Sequence, residues 1–129
     1  MIIKEIEITN PRNKDFYNKY KNKKTEIDNH VFSSQKEAQR YKELLLLQNT
    51  KKITGLTLQP KFNLIPAYKD KFTNKMVKPI VYIADFLYTE ADTKRTVVED
   101  VKGFKTDVYK LKSKMFRFFM QDKIEFRET

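Results

Sequence analysis

The sequence predicts an α/β fold in which helices pack on a mixed sheet. Three observations carry this expectation. Apolar residues recur with helical spacing in two segments and with strand spacing in several others, in the order helix, strands, helix, strand. The segment Ile80 to Tyr88 is apolar on both faces except at Asp85, which suggests a central place in a sheet. With 40% hydrophobic and 13% aromatic residues in 129, the chain can build the core of one domain, burying about two-thirds of its unfolded surface.

Met1 to Ile8 alternates well enough for a first strand. Arg12 to Lys24 carries six basic residues and one acid, interleaved with Phe16, Tyr17 and Tyr20, and lacks periodicity. It reads as a basic arm, so residues 1–32 form an N-terminal strand and arm and residues 33–129 the core. Thr25 to Phe32 suits a short strand or a hairpin around Asp28-Asn29. Ser34-Gln35-Lys36-Glu37 fits a capping box and opens a helix running to about Thr50. Ile53 to Gln59 is β-rich and stops at Pro60. Phe62 to Ile65 is a further short strand before Pro66. Tyr68 to Lys78 is polar and basic, a loop. Ile80 to Tyr88 is the strongest strand, Thr89 to Lys94 a turn, and Arg95 to Lys102 the next strand, ended by Gly103. Thr106 or Asp107 caps a second helix from Val108 to about Met120, and Lys123 to Phe126 adds a last strand.

Composition removes several functional classes. Without Cys there is no disulfide scaffold, zinc–cysteine site or thiol nucleophile. A single His excludes a multi-histidine metal site and disfavours a Ser-His-Asp triad, and His30 is assigned no role. Two Gly exclude the common phosphate-binding loops. The longest purely aliphatic run, Leu44 to Leu47, is far short of a membrane span, and no signal peptide follows Met1, so a cytoplasmic protein is expected. A net charge of +10 and a pI near 9.7 point to a polyanionic partner, nucleic acid above all, with simple solubility as the bland alternative.

The informative residues are charges placed where the core should be. On a helical wheel Glu37 shares an arc of about 120° with Ala38, Tyr41, Leu44 and Leu45, facing the sheet. A capping role explains the same residue and is compatible with a second one. Asp85 shares a face with Val81, Ile83 and Leu87. On the next strand Asp100 and Lys102 take one face, Glu99 and Val101 the other. A hairpin symmetric about Asp92-Thr93 sets Asp85 opposite Asp100, with Cβ atoms about 4.5–5.5 Å apart, where like charges repel. A divalent cation with oxygen ligands would relieve that pair. The competing reading is an exposed acidic hairpin neutralised by Lys102.

The set Glu37, Asp85, Asp100-Val101-Lys102 resembles the PD-(D/E)XK nuclease superfamily. More particularly, Ser34-Gln35-Lys36-Glu37-Ala38, Tyr82-Ile83-Ala84-Asp85-Phe86 and Val98-Glu99-Asp100-Val101-Lys102-Gly103 resemble a family of small phage-encoded endonucleases, related to Holliday-junction resolvases. The resemblance runs from about Phe32 to Phe116. It implies a restriction-endonuclease-like core of order α-β-β-β-α-β. It also implies Mg²⁺ or Mn²⁺ held by Asp85, Asp100 and the main-chain carbonyl of Val101, with Lys102 orienting the attacking water and Glu37 an auxiliary acid. A polar residue from the following helix often joins such sites. Lys112 fits that slot, or is a snorkelling lysine. The acid before the Lys is Asp100 rather than the commoner Glu, with Glu99 beside it on the other, out-facing parity.

The resemblance implies Mg²⁺-dependent hydrolysis of DNA, branched DNA such as Holliday junctions in phage recombination, in the host cytoplasm. Arg12, Lys14, Lys19, Lys21, Lys23 and Lys24 could track the phosphate backbone, or form a solvated run. A homodimer would place two sites for symmetric cutting. Gln59 is auxiliary or structural. The alternative function is a non-catalytic DNA-binding or regulatory protein on a decayed nuclease fold.

Overall fold

The computed structural model describes residues 8–9 and 25–129. In chain order the elements are β1 (Ile8–Thr9), β2 (Thr25–Ile27), β3 (His30–Phe32), α1 (Gln35–Asn49), β4 (Ile53–Leu58), β5 (Lys61–Ile65), β6 (Tyr68–Lys69), β7 (Met76–Val77), β8 (Ile80–Ile83), β9 (Phe86–Glu90), β10 (Thr96–Asp100), α2 (Asp107–Met120) and β11 (Ile124–Glu128). Of the strand expected over Met1 to Ile8, only the last residue is described, within β1. The basic arm from Arg12 to Lys24 lies outside the described residues.

The fold is α/β with a mixed sheet and two helices. The order β11-β10-β9-β4 makes the four-stranded sheet, with β10 and β11 parallel and the other neighbours antiparallel. Helix α2 provides the crossover that parallel neighbours require. Its N-cap is Thr106, whose hydroxyl accepts from the Tyr109 N–H at 3.0 Å. The hairpin around Asp28-Asn29 forms as expected. Both residues have positive φ (52° and 64°), the signature of a tight two-residue turn.

The helices cover opposite faces of the sheet. Ala38, Tyr41 and Leu44 of α1 pack with Phe86, Tyr88, Val97 and Val101. Phe116 and Met120 of α2 pack with Phe62, Leu64, Tyr82, Ala84, Val98 and Ile124. Helix α1 ends without glycine. Lys51 takes the left-handed conformation (φ 62°), and the N–H groups of Lys51 and Lys52 satisfy the carbonyls of Gln48 and Leu47.

Two expectations are corrected. The segment from Ile80 to Tyr88 is not one strand: it breaks at Ala84-Asp85, where β8 leaves its partner β5 and β9 joins β4 and β10. The facing strand breaks in step at Gln59-Pro60, with Gln59 at φ 51°. Backbone bonds from Gln59 N–H to Asp85 O (2.8 Å) and from Ala84 N–H to Pro60 O (3.1 Å) hold the two bends together. The break also exchanges the faces. Tyr82 and Ala84 before it share a core with Leu87 after it, so Val81 and Ile83 do not share the face of Asp85 and Leu87. The second correction concerns Tyr68 to Lys78. That segment contains the β6–β7 hairpin, a continuation of the β5–β8 ribbon.

Candidate active site

The Asp85 and Asp100 carboxylates meet at the end of the β9–β10 ladder, close enough for each to act on the other. β9 and β10 pair Thr89 with Thr96, Tyr88 with Val97, Leu87 with Val98 and Phe86 with Glu99. The ladder ends there: Asp85 precedes β9 at the bend, and its N–H donates to Glu99 O at 3.2 Å, one residue out of the ladder's register. Asp85 Oδ2 accepts from the Val101 N–H at 2.7 Å, which draws its carboxylate across the ladder. Asp100 is fully buried. Its Oδ2 accepts from the Tyr82 hydroxyl. Its Oδ1 has no hydrogen-bond partner among the described residues, and the Lys102 ammonium lies 3.4 Å from it.

Glu37 reaches this pair from the opposite face of the sheet. Glu37 faces the sheet, as its position on the helical wheel predicts, but α1 covers the side away from Asp100. Its first turn lies at the ends of β10 and β11, where Lys36 Nζ donates to Thr129 O at 3.1 Å. Only half of the capping box forms: Ser34 Oγ accepts from the Glu37 N–H at 3.1 Å. The Glu37 carboxylate turns instead to the Ser33 hydroxyl, which donates to Oε2 at 2.6 Å, and is buried.

Burial and mutual repulsion raise the affinity of all three acids for protons. Desolvation, then the neighbouring Glu37, pushes Asp85 up to about 6. Desolvation, then Asp85, holds Asp100 well above the carboxylate range, and desolvation raises Glu37. Desolvation alone would lower the Lys102 ammonium, but Asp100, Asp85 and Glu37 together raise it, so it stays charged. Its Nζ also lies 4.7 Å from the centre of the Tyr109 ring.

Three acids thus face one lysine, an excess of negative charge that either protons or a cation must relieve. Oxygen donors alone suit Mg²⁺ or Mn²⁺, and the buried Asp100 Oδ1 has the Lys102 ammonium at 3.4 Å but no hydrogen bond among the described residues. Among the described residues no three Asp, Glu, His or Cys side chains converge as a ligand group. A cation here would rest on Asp85, Asp100 and a main-chain carbonyl.

This arrangement carries a pH dependence. Asp85 rises from its ordinary 3.8 to about 6 on folding, so the folded state binds its proton more tightly than the unfolded chain. The stability from that proton is complete below about pH 3.8 and is lost as pH rises through 6, a loss of about 2–3 kcal/mol. In EDTA, the melting temperature of the wild type should fall between pH 4 and 7 relative to that of Asp85→Asn, by about 5–10 °C. Parallel curves for the two proteins would show that Asp85 titrates normally.

Other expected site residues are placed differently. Glu99 is not out-facing: it is buried under α1. Its carboxylate is held by Arg40 at 2.5 and 3.0 Å, the Tyr88 hydroxyl at 2.8 Å and Thr129 Oγ1 at 3.2 Å. Gln59 shapes the bend through its main chain. Lys112 is half-buried on the flank of α2, with no hydrogen bond or ion pair among the described residues. Lys102 lies two residues beyond the end of β10 rather than within it.

Sequence reasoning missed Ser33, Tyr82 and Tyr109. Tyr82 was hidden by the face exchange at Ala84-Asp85. Ser33 precedes a stronger N-cap signal at Ser34. Tyr109 is one turn into α2 and carries no local mark of its contact with Lys102.

The chain belongs to the family described as protein of unknown function DUF1064, whose profile matches residues 17–127. No curated protein and no solved structure matches it. Among the described residues, no helix is long and apolar enough to cross a membrane.

Proposed function

We propose that this protein is a metal-dependent DNA endonuclease with a PD-(D/E)XK-type core, acting on branched DNA. The observation that carries the reading is the meeting of the Asp85 and Asp100 carboxylates at the end of the β9–β10 ladder, with Lys102 at 3.4 Å from an Asp100 oxygen that has no hydrogen bond among the described residues. A structural ion pair would satisfy both carboxylate oxygens, as Glu99 is satisfied on the opposite face. The element order α1, β4–β5, β8–β9, β10, α2, β11 supports the core assignment.

Asp85, Asp100 and the Val101 carbonyl would hold Mg²⁺, which supplies Lewis-acid neutralisation of charge developing on the scissile phosphate. The Val101 N–H fixes one oxygen of Asp85, and the Tyr82 hydroxyl fixes one of Asp100, so each carboxylate arrives in a set orientation. Lys102, kept charged by the three acids and backed by the Tyr109 ring, stabilises the phosphate and orients the attacking water. Glu37, raised by burial, would act as the auxiliary acid toward that water. The basic arm, Arg12 to Lys24, adds phosphate contacts.

The test is incubation with linear, nicked, flap and four-way DNA, in Mg²⁺ and in EDTA. Cutting in Mg²⁺ alone, strongest on the branched substrates, is the expected result. If wild-type protein cuts nothing and its melting temperature ignores Mg²⁺, the nuclease reading fails and a non-catalytic DNA-binding protein is the better account.

A further inference from the structure

The ribbon that carries Asp85 does not end at the core. Beyond the Ile65–Ile80 pair it continues as the β6–β7 hairpin, with Tyr68 opposite Val77 and Lys69 opposite Met76. From residue 66 to residue 80, all but Asp70 and Val77 are exposed. The tip is nonetheless a defined turn. Asp70 Oδ1 accepts from the N–H groups of Phe72 and Thr73, at 2.8 and 3.0 Å. The Asp70 N–H donates to Lys75 O at 2.9 Å, and the Asn74 N–H to Asp70 O at 2.8 Å, with Asn74 at φ 59°.

This turn presents Phe72, 99% exposed, at the end of the hairpin, with Tyr68 and Met76 exposed along the shaft. An aromatic ring held wholly in water contributes nothing to the fold. Lys69, Lys71, Lys75 and Lys78 lie along the same hairpin, all exposed, with no ion pair among the described residues. The one acid of the segment, Asp70, is occupied by the turn, whose N–H groups lower its pKa.

We infer that the β6–β7 hairpin is a DNA wedge, its lysines gripping the phosphates and Phe72 stacking on a base exposed where the duplex opens. This rests on the DNA substrate proposed above. Charge and shape choose the partner. Four exposed ammonium groups along a hairpin that ends in a bare aromatic ring match alternating phosphates and base faces, and a two-stranded ribbon fits the major groove. Apolar side chains inserted at base steps open them, and stacking on an aromatic ring tolerates any base. The chain from Phe72 to Asp85 spans at most about 45 Å, little more than one turn of duplex at about 34 Å. A base engaged by Phe72 therefore lies within about one turn of the strand cut at Asp85, which couples branch recognition to the cutting position.

The test measures binding of labelled blunt duplex, flap and four-way DNA in EDTA by fluorescence anisotropy, across a salt series. Phe72→Ala should weaken flap and junction binding about tenfold and leave blunt duplex nearly unchanged. The combined change of Lys69, Lys71, Lys75 and Lys78 to Ala should weaken all three and flatten the slope of log K on log salt by about three. A 2-aminopurine at the branch should brighten with wild type and not with Phe72→Ala. Wild-type binding with both variants unchanged in affinity and slope overturns the wedge and leaves the nuclease reading standing. No binding by wild type to any of the DNAs overturns both. Equal losses for Phe72→Ala on blunt duplex and junction overturn the base-stacking role.

Discussion

Asp100→Asn is expected to lose cleavage activity about a thousandfold or more, and Lys102→Ala about a hundred- to a thousandfold, on a four-way junction in Mg²⁺. Asn keeps the shape of Asp100 and an acceptor for the Tyr82 hydroxyl, but removes the charge that would hold a cation. Lys102→Ala removes the ammonium beside the phosphate and leaves both acids. The two variants should differ in binding. Asp100→Asn relieves negative charge and should bind DNA as tightly as wild type or more so, whereas Lys102→Ala should bind slightly less. Their melting curves separate this from misfolding. Without Mg²⁺, Asp100→Asn should be no less stable than wild type, because the neighbouring carboxylates no longer repel. With Mg²⁺, wild type should gain stability by mass action and Asp100→Asn should not. A variant that still cuts at the wild-type rate would remove Asp100 from the mechanism.

The largest loss of stability is expected on the opposite face of the sheet. Arg40→Ala strips the guanidinium from Glu99, whose carboxylate is wholly buried and keeps only the Tyr88 and Thr129 hydroxyls. Breaking a buried pair from one side costs about 3–5 kcal/mol, a fall of roughly 10–20 °C in melting temperature for a domain of this size. The double change Arg40→Met, Glu99→Leu should recover most of this, since apolar replacement leaves no buried charge. Equilibrium denaturation in urea measures both. Additive losses in the double variant would show that the two side chains are not coupled. Because Glu99 faces away from Asp100, specific activity per folded molecule should be unchanged in the double variant.

The site was legible where local rules decide. The capping signal at Ser34 placed Glu37 in the first turn of a helix. The polar stretch from Thr89 to Lys94 centred a hairpin, and its symmetry holds through Phe86 and Glu99, with Asp85 following at the bend beyond the ladder. The period of two separated Asp100 and Lys102 from Glu99 and Val101. Each of these rests on contacts within a few residues or across one tight turn, so the linear pattern contains them.

What only the tertiary structure decided involves distant partners. The apolar run from Ile80 to Tyr88 is interrupted by Asp85 alone, and a single acid does not by itself mark a bend. It arises because the ribbon changes partners there and is pinned by Gln59 and Pro60, far away in sequence. That bend exchanges the faces and brings Tyr82 to Asp100. Glu99 read as solvent-facing because its partner Arg40 lies 59 residues away on α1. The sequence by itself determined which acids and which lysine share an edge of the sheet. Packing decided that one acid is sealed by arginine and another left an oxygen without a hydrogen bond, because desolvation depends on what covers a group, and the cover comes from elsewhere in the chain.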